Sequence, residues 1–199
     1  MKSRVKGAVF FCIMAALAGA YSVIDKNHAV YDEKVDKEAY AMVSLGEGDL
    51  LEQNFLAEEN VLDGVNVKMS ASGDIGDAEI SFMLADEDGG KAAEGTKALN
   101  DLKPGKFFPL KFDSVEGCKG KTYSFRLTVE KCGEDARVQV YAVPGASEAA
   151  PLSVEGKAAE GTLALRAVTH RFDAETFIVT LCFLLYVVLF MKWLARLFK

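Results

Sequence analysis

Two uncharged apolar runs, Gly7–Ile24 and Thr176–Met191, bracket 151 residues of acidic sequence patterned as strands. A chain laid out in this way reads as a membrane-tethered domain. The first run has 18 residues; an α-helix of that length rises about 27 Å, against a hydrocarbon core of roughly 30 Å. The second reaches the same span if Lys192 snorkels past Trp193 and Leu194. The sequence thus predicts transmembrane helices over residues 7–24 and 176–195.

Orientation follows from the positive charges, because Lys and Arg beside a membrane segment resist translocation while Asp and Glu matter little. Lys2, Arg4 and Lys6 precede the first run, and Lys192, Arg196 and Lys199 follow the second. Residues 1–6 and 196–199 are therefore expected in the cytoplasm and the central region outside it. That region, residues 25–175, holds 17 Lys and Arg against 29 Asp and Glu, a net charge of −12. A cleaved signal peptide competes with the first helix: a basic start, the apolar stretch Ala8–Leu17, then the small residues Ala18-Gly19-Ala20. Tyr21–Ile24 prolong the run past that site, and Tyr21 stands where a lipidated cysteine would have to be. Under either reading the central domain faces the same side.

The soluble part, about 130 residues, is enough for one domain with a two-layer core. Its acidic character argues against a nucleic-acid partner and against electrostatic docking on anionic lipid. Cys12 and Cys182 lie inside the apolar runs, where a thiol acts as a small hydrophobe. Cys118 and Cys132 flank a predicted strand, Lys121–Glu130. That strand would hold them about 30 Å apart at 3.3 Å per residue, whereas a disulfide needs Cα atoms within about 7 Å. With only His28 and His170 and no CxxC pair, a zinc site has no support and no cofactor is expected.

Residues 25–43 read as a charged juxtamembrane stalk, with a short helix conceivable over Val30–Tyr40. From Leu50 the period becomes two. Val65, Val67 and Met69 alternate with polar residues, as do Ile80, Phe82 and Leu84; Phe108, Leu110 and Phe112; Tyr123, Phe125, Leu127 and Val129; Val138, Val140 and Ala142; and Leu163, Leu165 and Ala167. Ser72-Gly73-Asp74, Asp88-Gly89-Gly90, Pro104-Gly105, Gly117–Gly120 and Gly133-Glu134-Asp135 separate them as turns. Seven or eight short strands without an intervening helix signal predict an antiparallel, all-β sandwich over residues 44–170. Residues 145–160 read as a long surface loop, and Gly161–Thr169 as the last strand.

The succession Glu52-Gln53-Asn54-Phe55, Leu62-Asp63-Gly64-Val65, Phe107-Phe108-Pro109-Leu110-Lys111-Phe112, Gly120-Lys121-Thr122-Tyr123, and Gly156 followed by Gly161-Thr162-Leu163-Ala164-Leu165 resembles the extracytoplasmic jelly-roll domains of some bacterial polysaccharide-assembly proteins, including multi-pass glycosyltransferases. The resemblance covers residues 44–170 and implies a jelly-roll-like sandwich. It also implies work beside a multi-pass membrane protein of the cell envelope. The chain carries one helix after the sandwich and no multi-pass catalytic module, so the expectation is an accessory subunit rather than an enzyme. The same residues have plain roles as well: Phe55 as core, Gln53 satisfying a buried backbone group, Gly64 and Gly120 supplying turns, and Tyr123 as a core tyrosine.

Chemistry is sparse. Glu58-Glu59 and Asp86-Glu87-Asp88 lie in predicted loops, and the second could offer oxygen ligands to calcium, although the spacing matches no EF-hand loop and a solvated turn accounts for it. Ser44, Ser153 and His170 form no recognisable nucleophile–base pattern. For sugar binding, the only tryptophan, Trp193, belongs to the membrane interface. What remains is the outward face of Arg137, Gln139 and Tyr141, with Arg126 and Asn66 on neighbouring strands. Two functions follow as expectations: a membrane-anchored scaffolding or carbohydrate-binding module in cell-surface polysaccharide assembly, or an envelope interaction subunit of secretion or adhesion machinery with no sugar ligand.

Overall fold

The computed structural model describes residues 2–133, 135–145 and 152–198, with residues 2–8 as backbone alone. Met1 and Lys199 of the expected cytoplasmic ends, Glu134 of one predicted turn and residues 146–151 of the expected loop fall outside the described residues. The chain divides into two units, residues 27–169 and a second made of residues 1–26 with 170–199.

The elements run α1 (Lys2–Tyr21), β1 (Val23–Ala29), β2 (Ala41–Leu45), β3 (Leu50–Leu56), β4 (Val61–Ser72), β5 (Glu79–Ala85), β6 (Lys91–Ala98), β7 (Lys106–Glu116), β8 (Thr122–Lys131), β9 (Arg137–Val143), β10 (Leu152–Val154), β11 (Lys157–Ala159), β12 (Thr162–Leu163), β13 (Leu165–Phe172) and α2 (Ala174–Leu197). They make two antiparallel sheets. One is β11-β10-β3-β8-β5-β6; in the other β9 pairs with β2 and β4, and β4 with β7. From β2 to β9 the chain crosses between sheets at every connection except the β5–β6 hairpin. The long β4 meets β7 along one edge and, along the other, β13 at Gly64–Val67 and then β9 at Met69–Ser72. β1 lies beside β13 at the margin of this sheet.

Every alternation read from the sequence places its apolar set inward. Val65, Val67, Met69, Ile80, Phe82, Leu84, Phe108, Leu110, Phe125, Leu127, Val129, Val138, Val140, Leu163 and Leu165 fill one core between the sheets. Phe55 joins them, and Gln53, fully buried, accepts the Leu163 N–H at 2.8 Å through Oε1 and donates Nε2 to the Asn54 carbonyl at 2.8 Å. Tyr123 is 3 % exposed, and its hydroxyl donates to Cys118 Sγ at 3.4 Å. Burial first, then that contact, pushes its pKa up to about 12. Cys118 and Cys132 stand at opposite ends of β8, and both are free thiols.

Several expectations change. The first apolar run is not one helix to Ile24: α1 ends at Tyr21, where Ser22 hydrogen-bonds back to the Ala18 carbonyl, and β-branched Val23 and Ile24 open a strand. The expected stalk 25–43 is largely ordered as the end of β1, a short 3₁₀ turn at Lys37–Ala39 and the start of β2. The loop 145–160 holds a hairpin, β10–β11, turned by Glu155 and Gly156, both at positive φ (52° and 69°), as a two-residue hairpin demands. The expected final strand is two: β12 pairs with β9 and β13 with β4. Gly120 does sit in a turn, at φ 78°, but Gly64 lies within β4 at an irregularity in the β4–β7 register. A Cβ there would stand 2.7 Å from the Leu110 carbonyl oxygen, so close strand approach rather than a turn requires glycine.

In the second unit α1 and α2 pack together. Asp173 caps α2 by accepting the Thr176 N–H at 3.0 Å, and its own N–H donates to the Ser22 carbonyl at 2.8 Å, tying the end of α1 to the start of α2. The helices therefore run antiparallel. By length and composition α2 can cross a membrane; Val9–Tyr21 of α1 is a shorter apolar helix among the described residues. The expectation of two full spans thus reduces to one such helix.

Candidate functional site

The candidate residues do not share one face. Arg137, Gln139 and Tyr141 lie on β9 and Asn66 on β4, on the outer side of one sheet, while Arg126 lies on β8 of the other. The β9 face is also covered by residues the sequence presents as stalk. Tyr31, 8 % exposed, packs with Val143 and Ala164, and Ala29, Val35, Tyr40, Phe107 and Tyr141 close around it. Its ring lies 6.2 Å from Tyr40, edge-on, and 6.4 Å from Phe107, stacked. Lys68 Nζ sits 4.8 Å and 4.9 Å from the ring centres of Tyr40 and Tyr141; Arg166 lies 4.2 Å over Phe107 and bonds Glu33 at 2.6 Å. Burial, then Tyr31 and Glu33, raises the Tyr40 pKa; burial, then Lys37, Lys106 and Arg166, lowers that of Lys68. Asn66 donates to Asn27 Oδ1 at 2.8 Å and Arg137 to its neighbour's carbonyl at 2.6 Å. The cover exists because a few rings in residues 31–40 find cations and rings projecting outward from the sheet.

The other sheet presents a polar outer face. Its register sets Ser153, Glu52, Arg126, Met83 and Glu94 in a row across five strands, flanked by Leu50, Thr128, Ser81 and Thr96 on one side and Asn54, Ser124 and Ala85 on the other. Glu52 Oε1 accepts from Ser124 Oγ at 2.6 Å and, at 3.4 Å, from Arg126 Nη2. That long contact is the one hydrogen bond of the Arg126 guanidinium among the described residues, and its Nε is buried with no partner. Two shallow depressions flank Arg126, one of about 580 Å³ toward β6 and one of about 440 Å³ toward Asp86 and Glu87. The first has Gly95 in its floor, where a Cβ would come within 2.6 Å of the Phe82 ring.

No family model and no curated protein matches the sequence. Among solved structures, a family two carbohydrate esterase from Cellvibrio japonicus aligns at 7 % identity and TM-score 0.31, over 69 % of this chain and 36 % of that one. A family GH115 4-O-methyl-alpha-glucuronidase aligns at 12 % and 0.32, over 77 % and 17 %, and a structure of infectious bursal disease virus, Gx strain, at 13 % and 0.30, over 81 % and 47 %. The chain spans less than half the length of each of these, and nothing about ligand or activity follows from the likeness.

The remaining chemical groups have structural duties. Asp86 Oδ1 accepts the backbone N–H groups of Asp88 and Gly90 at 3.1 and 2.6 Å and so shapes the β5–β6 turn, while Glu87 accepts that of Thr122 at 2.8 Å and ties the turn to the start of β8. Glu58 and Glu59 hold the two ring nitrogens of His28 at 2.9 and 3.1 Å. Among the described residues no group of three or more His, Cys, Asp and Glu is arranged for a metal. Ser44 and Ser153 lie in different sheets, and the His170 ring is bonded to Asp25 at 2.6 Å. Glu52, Ser124, Met83 and Glu94 were missed at the level of sequence. Alternation marks Glu52, Ser124 and Met83 as outward-facing, but β6, which carries Glu94, has no such pattern, and only the sheet order shows that the four share this face with Arg126.

Proposed function

We propose that the chain is a membrane-anchored, non-catalytic binding module: a jelly-roll sandwich outside the cytoplasm, held by α2, that engages hydroxyl-rich glycan chains beside a multi-pass glycosyltransferase or export protein of the cell envelope. The alternation of strands between sheets supports the jelly-roll reading. Lys192 and Arg196 close to the end of α2 support placing that end in the cytoplasm.

One observation carries the binding role. At the centre of a polar sheet face, the guanidinium of Arg126 has, among the described residues, one long hydrogen bond for its five N–H donors. Unpaired donors beside Glu52, Asn54 and Ser124 suit vicinal hydroxyls, which accept from the guanidinium and donate to carboxylate and amide oxygens. The half-buried Leu50 and Met83, which line one of the depressions, would take the apolar faces of the sugar ring.

The test is glycan-array binding by the full chain in nanodiscs. Retention of neutral oligosaccharides, reduced at least tenfold by Arg126→Ala and unchanged by Arg137→Ala, is the expected result. Equal losses from the two variants, or no retained glycan, would remove this reading; co-purification with an envelope protein and no glycan would favour the interaction subunit instead.

A further inference from the structure

The crossover from β6 to β7 runs against the charge of the rest of the domain. Residues 97–111 hold Lys97, Lys103, Lys106 and Lys111 against Asp101, a net charge of +3, while the remainder of residues 25–175 carries −15. β6 and β7 belong to different sheets, β6 pairing with β5 alone and β7 with β4 alone among the described strands. Between them lies a cleft of about 570 Å³, lined by Lys97, Asn100, Asp101, Lys103, Lys106 and Pro109 among others.

Backbone contacts fix this crossover in place. Leu99 is fully buried and its N–H donates to the Ala78 carbonyl at 2.9 Å, and the Gly105 N–H donates to the Met69 carbonyl at 2.9 Å. Pro104 and Gly105, the latter at φ 69°, form the centre of a β-turn closed by the Lys106 N–H on the Lys103 carbonyl at 3.1 Å. Such a turn keeps the Cα atoms of its end residues within about 7 Å, so Lys103 and Lys106 spring from neighbouring points. A third ammonium is anchored at the rim: Lys97 Nζ donates to the Pro109 carbonyl at 2.6 Å and sits 4.4 Å from the Phe108 ring centre, which leaves two of its three N–H donors. Among the described residues none of the three has a carboxylate within ion-pair distance.

Three cations held around one cleft repel one another, and Asp101 is the one acidic residue lining it. An incoming anion relieves that repulsion. The positive region also continues beyond the cleft: burial lowers the Lys68 pKa most, and Lys37, Lys106 and Arg166 lower it further. A chain carrying repeated negative groups can therefore be met at more than one point. Asn100 adds an exposed amide for hydroxyls and Pro109 an exposed ring for the apolar face of a sugar. Lys106 pairs with Met69 at one end of β4, whereas Thr169, just before the chain leaves for α2, bonds the Val61 carbonyl at the other, about 26 Å away at 3.3 Å per residue. That distance favours a ligand in solution over a lipid headgroup. We propose that this cleft binds the anionic sugar units of an acidic glycan, at a site distinct from the one at Arg126.

The test is binding by the full chain in nanodiscs of neutral lipid, with polygalacturonate and dextran sulfate as acidic chains and dextran as the neutral one. An acidic chain should bind about tenfold more tightly than dextran, and less so as salt is raised. Lys103→Gln with Lys106→Gln should cut that binding about tenfold, the scale for two charge-assisted contacts at an exposed site. Lys119→Gln with Lys121→Gln, the same charge lost from another turn, should leave it unchanged, as should Arg126→Ala. Bound polymer should also shield Lys103 and Lys106, but not Lys119, from an amine-acylating reagent, a readout that needs no variant. Equal losses from the two double variants, no retention of either acidic chain, equal binding of polyglutamate, or preference for anionic-lipid vesicles would overturn the site. So would a loss in Arg126→Ala as large as that of the lysine pair. Failure of neutral-sugar binding alone would sink the Arg126 reading and leave this cleft standing.

Discussion

On the β2-β9-β4-β7 sheet, Tyr31 and Tyr40 lie over outward side chains and draw Lys68, Tyr141, Phe107 and Arg166 into a second small cluster. On the β3-β8-β5-β6 sheet, the outward row of Glu52, Arg126, Met83 and Glu94 stays partly exposed, and Glu52 and Arg126 are joined by one long ion pair. Both faces come from the same two-residue alternation. The difference lies in a remote segment, residues 29–40, whose rings find partners on one sheet. A sheet face becomes interior when aromatic groups elsewhere in the chain can reach it, and otherwise stays available to a ligand.

Four measurements can break or sharpen that contrast. Tyr31→Ala should lower the stability of the sandwich by about 3 kcal/mol, the scale for truncating a buried ring, while Met83→Ala on the bare face should cost less than about 1 kcal/mol. Equal costs in denaturant titrations would mean that the two faces are alike.

An alkaline titration comes next. Tyr123 ionises at about 12 when folded against about 10 when unfolded, so its contribution is fully present below pH 10 and is lost as pH rises toward 12. The loss should be on the order of 2 kcal/mol, and Tyr123→Phe should reduce it while Arg126→Ala should leave it unaltered. A Tyr123→Phe profile identical to wild type would refute this.

A smaller effect is expected for Glu33→Gln, which removes the carboxylate facing Arg166 across 2.6 Å. Because the pair is partly exposed, the cost should be roughly 0.5 kcal/mol and should fade in high salt. A cost that persists at about 1 M salt would show that packing rather than charge anchors the segment. Smallest of all, Arg126→Ala should shift stability by under about 0.5 kcal/mol, since its one contact is long and leaves Nε unpaired. A large loss would show that Arg126 holds the sheet together rather than awaiting a ligand.

Much of the sandwich is legible in residues with strict alternation. Tyr123 to Val129 and Val138 to Ala142 declare their inner faces, and Gln53 takes the role that its place beside Phe55 suggests. Strand β6, Lys91–Ala98, is not legible: it carries no large apolar residue, and Phe82 covers Gly95 from the next strand. The candidate site was only half readable. Outward orientation of Arg126 and Arg137 follows from local period, but period does not say which sheet a strand joins. Arg126 and Arg137 are 11 positions apart and face opposite sides of the molecule because the chain changes sheet between β8 and β9. Nor does the charged stretch Asp32–Glu38 announce that the tyrosines beside it will cover a face.

The pairing of β2 with β9 has a consequence in time. Ala41 meets Ala142 and Leu45 meets Val138, and β2 has no other sheet neighbour among the described strands. At synthesis rates of about 5–20 residues per second, β2 waits on the order of 5–20 s for its partner to emerge. Through that interval its edge and Leu45, fully buried in the finished fold, stand open to other chains. Closure of the β2 edge is therefore gated by emergence of β9, and a ribosome stalled before Arg137 would hold out a nascent chain primed for aggregation or chaperone capture.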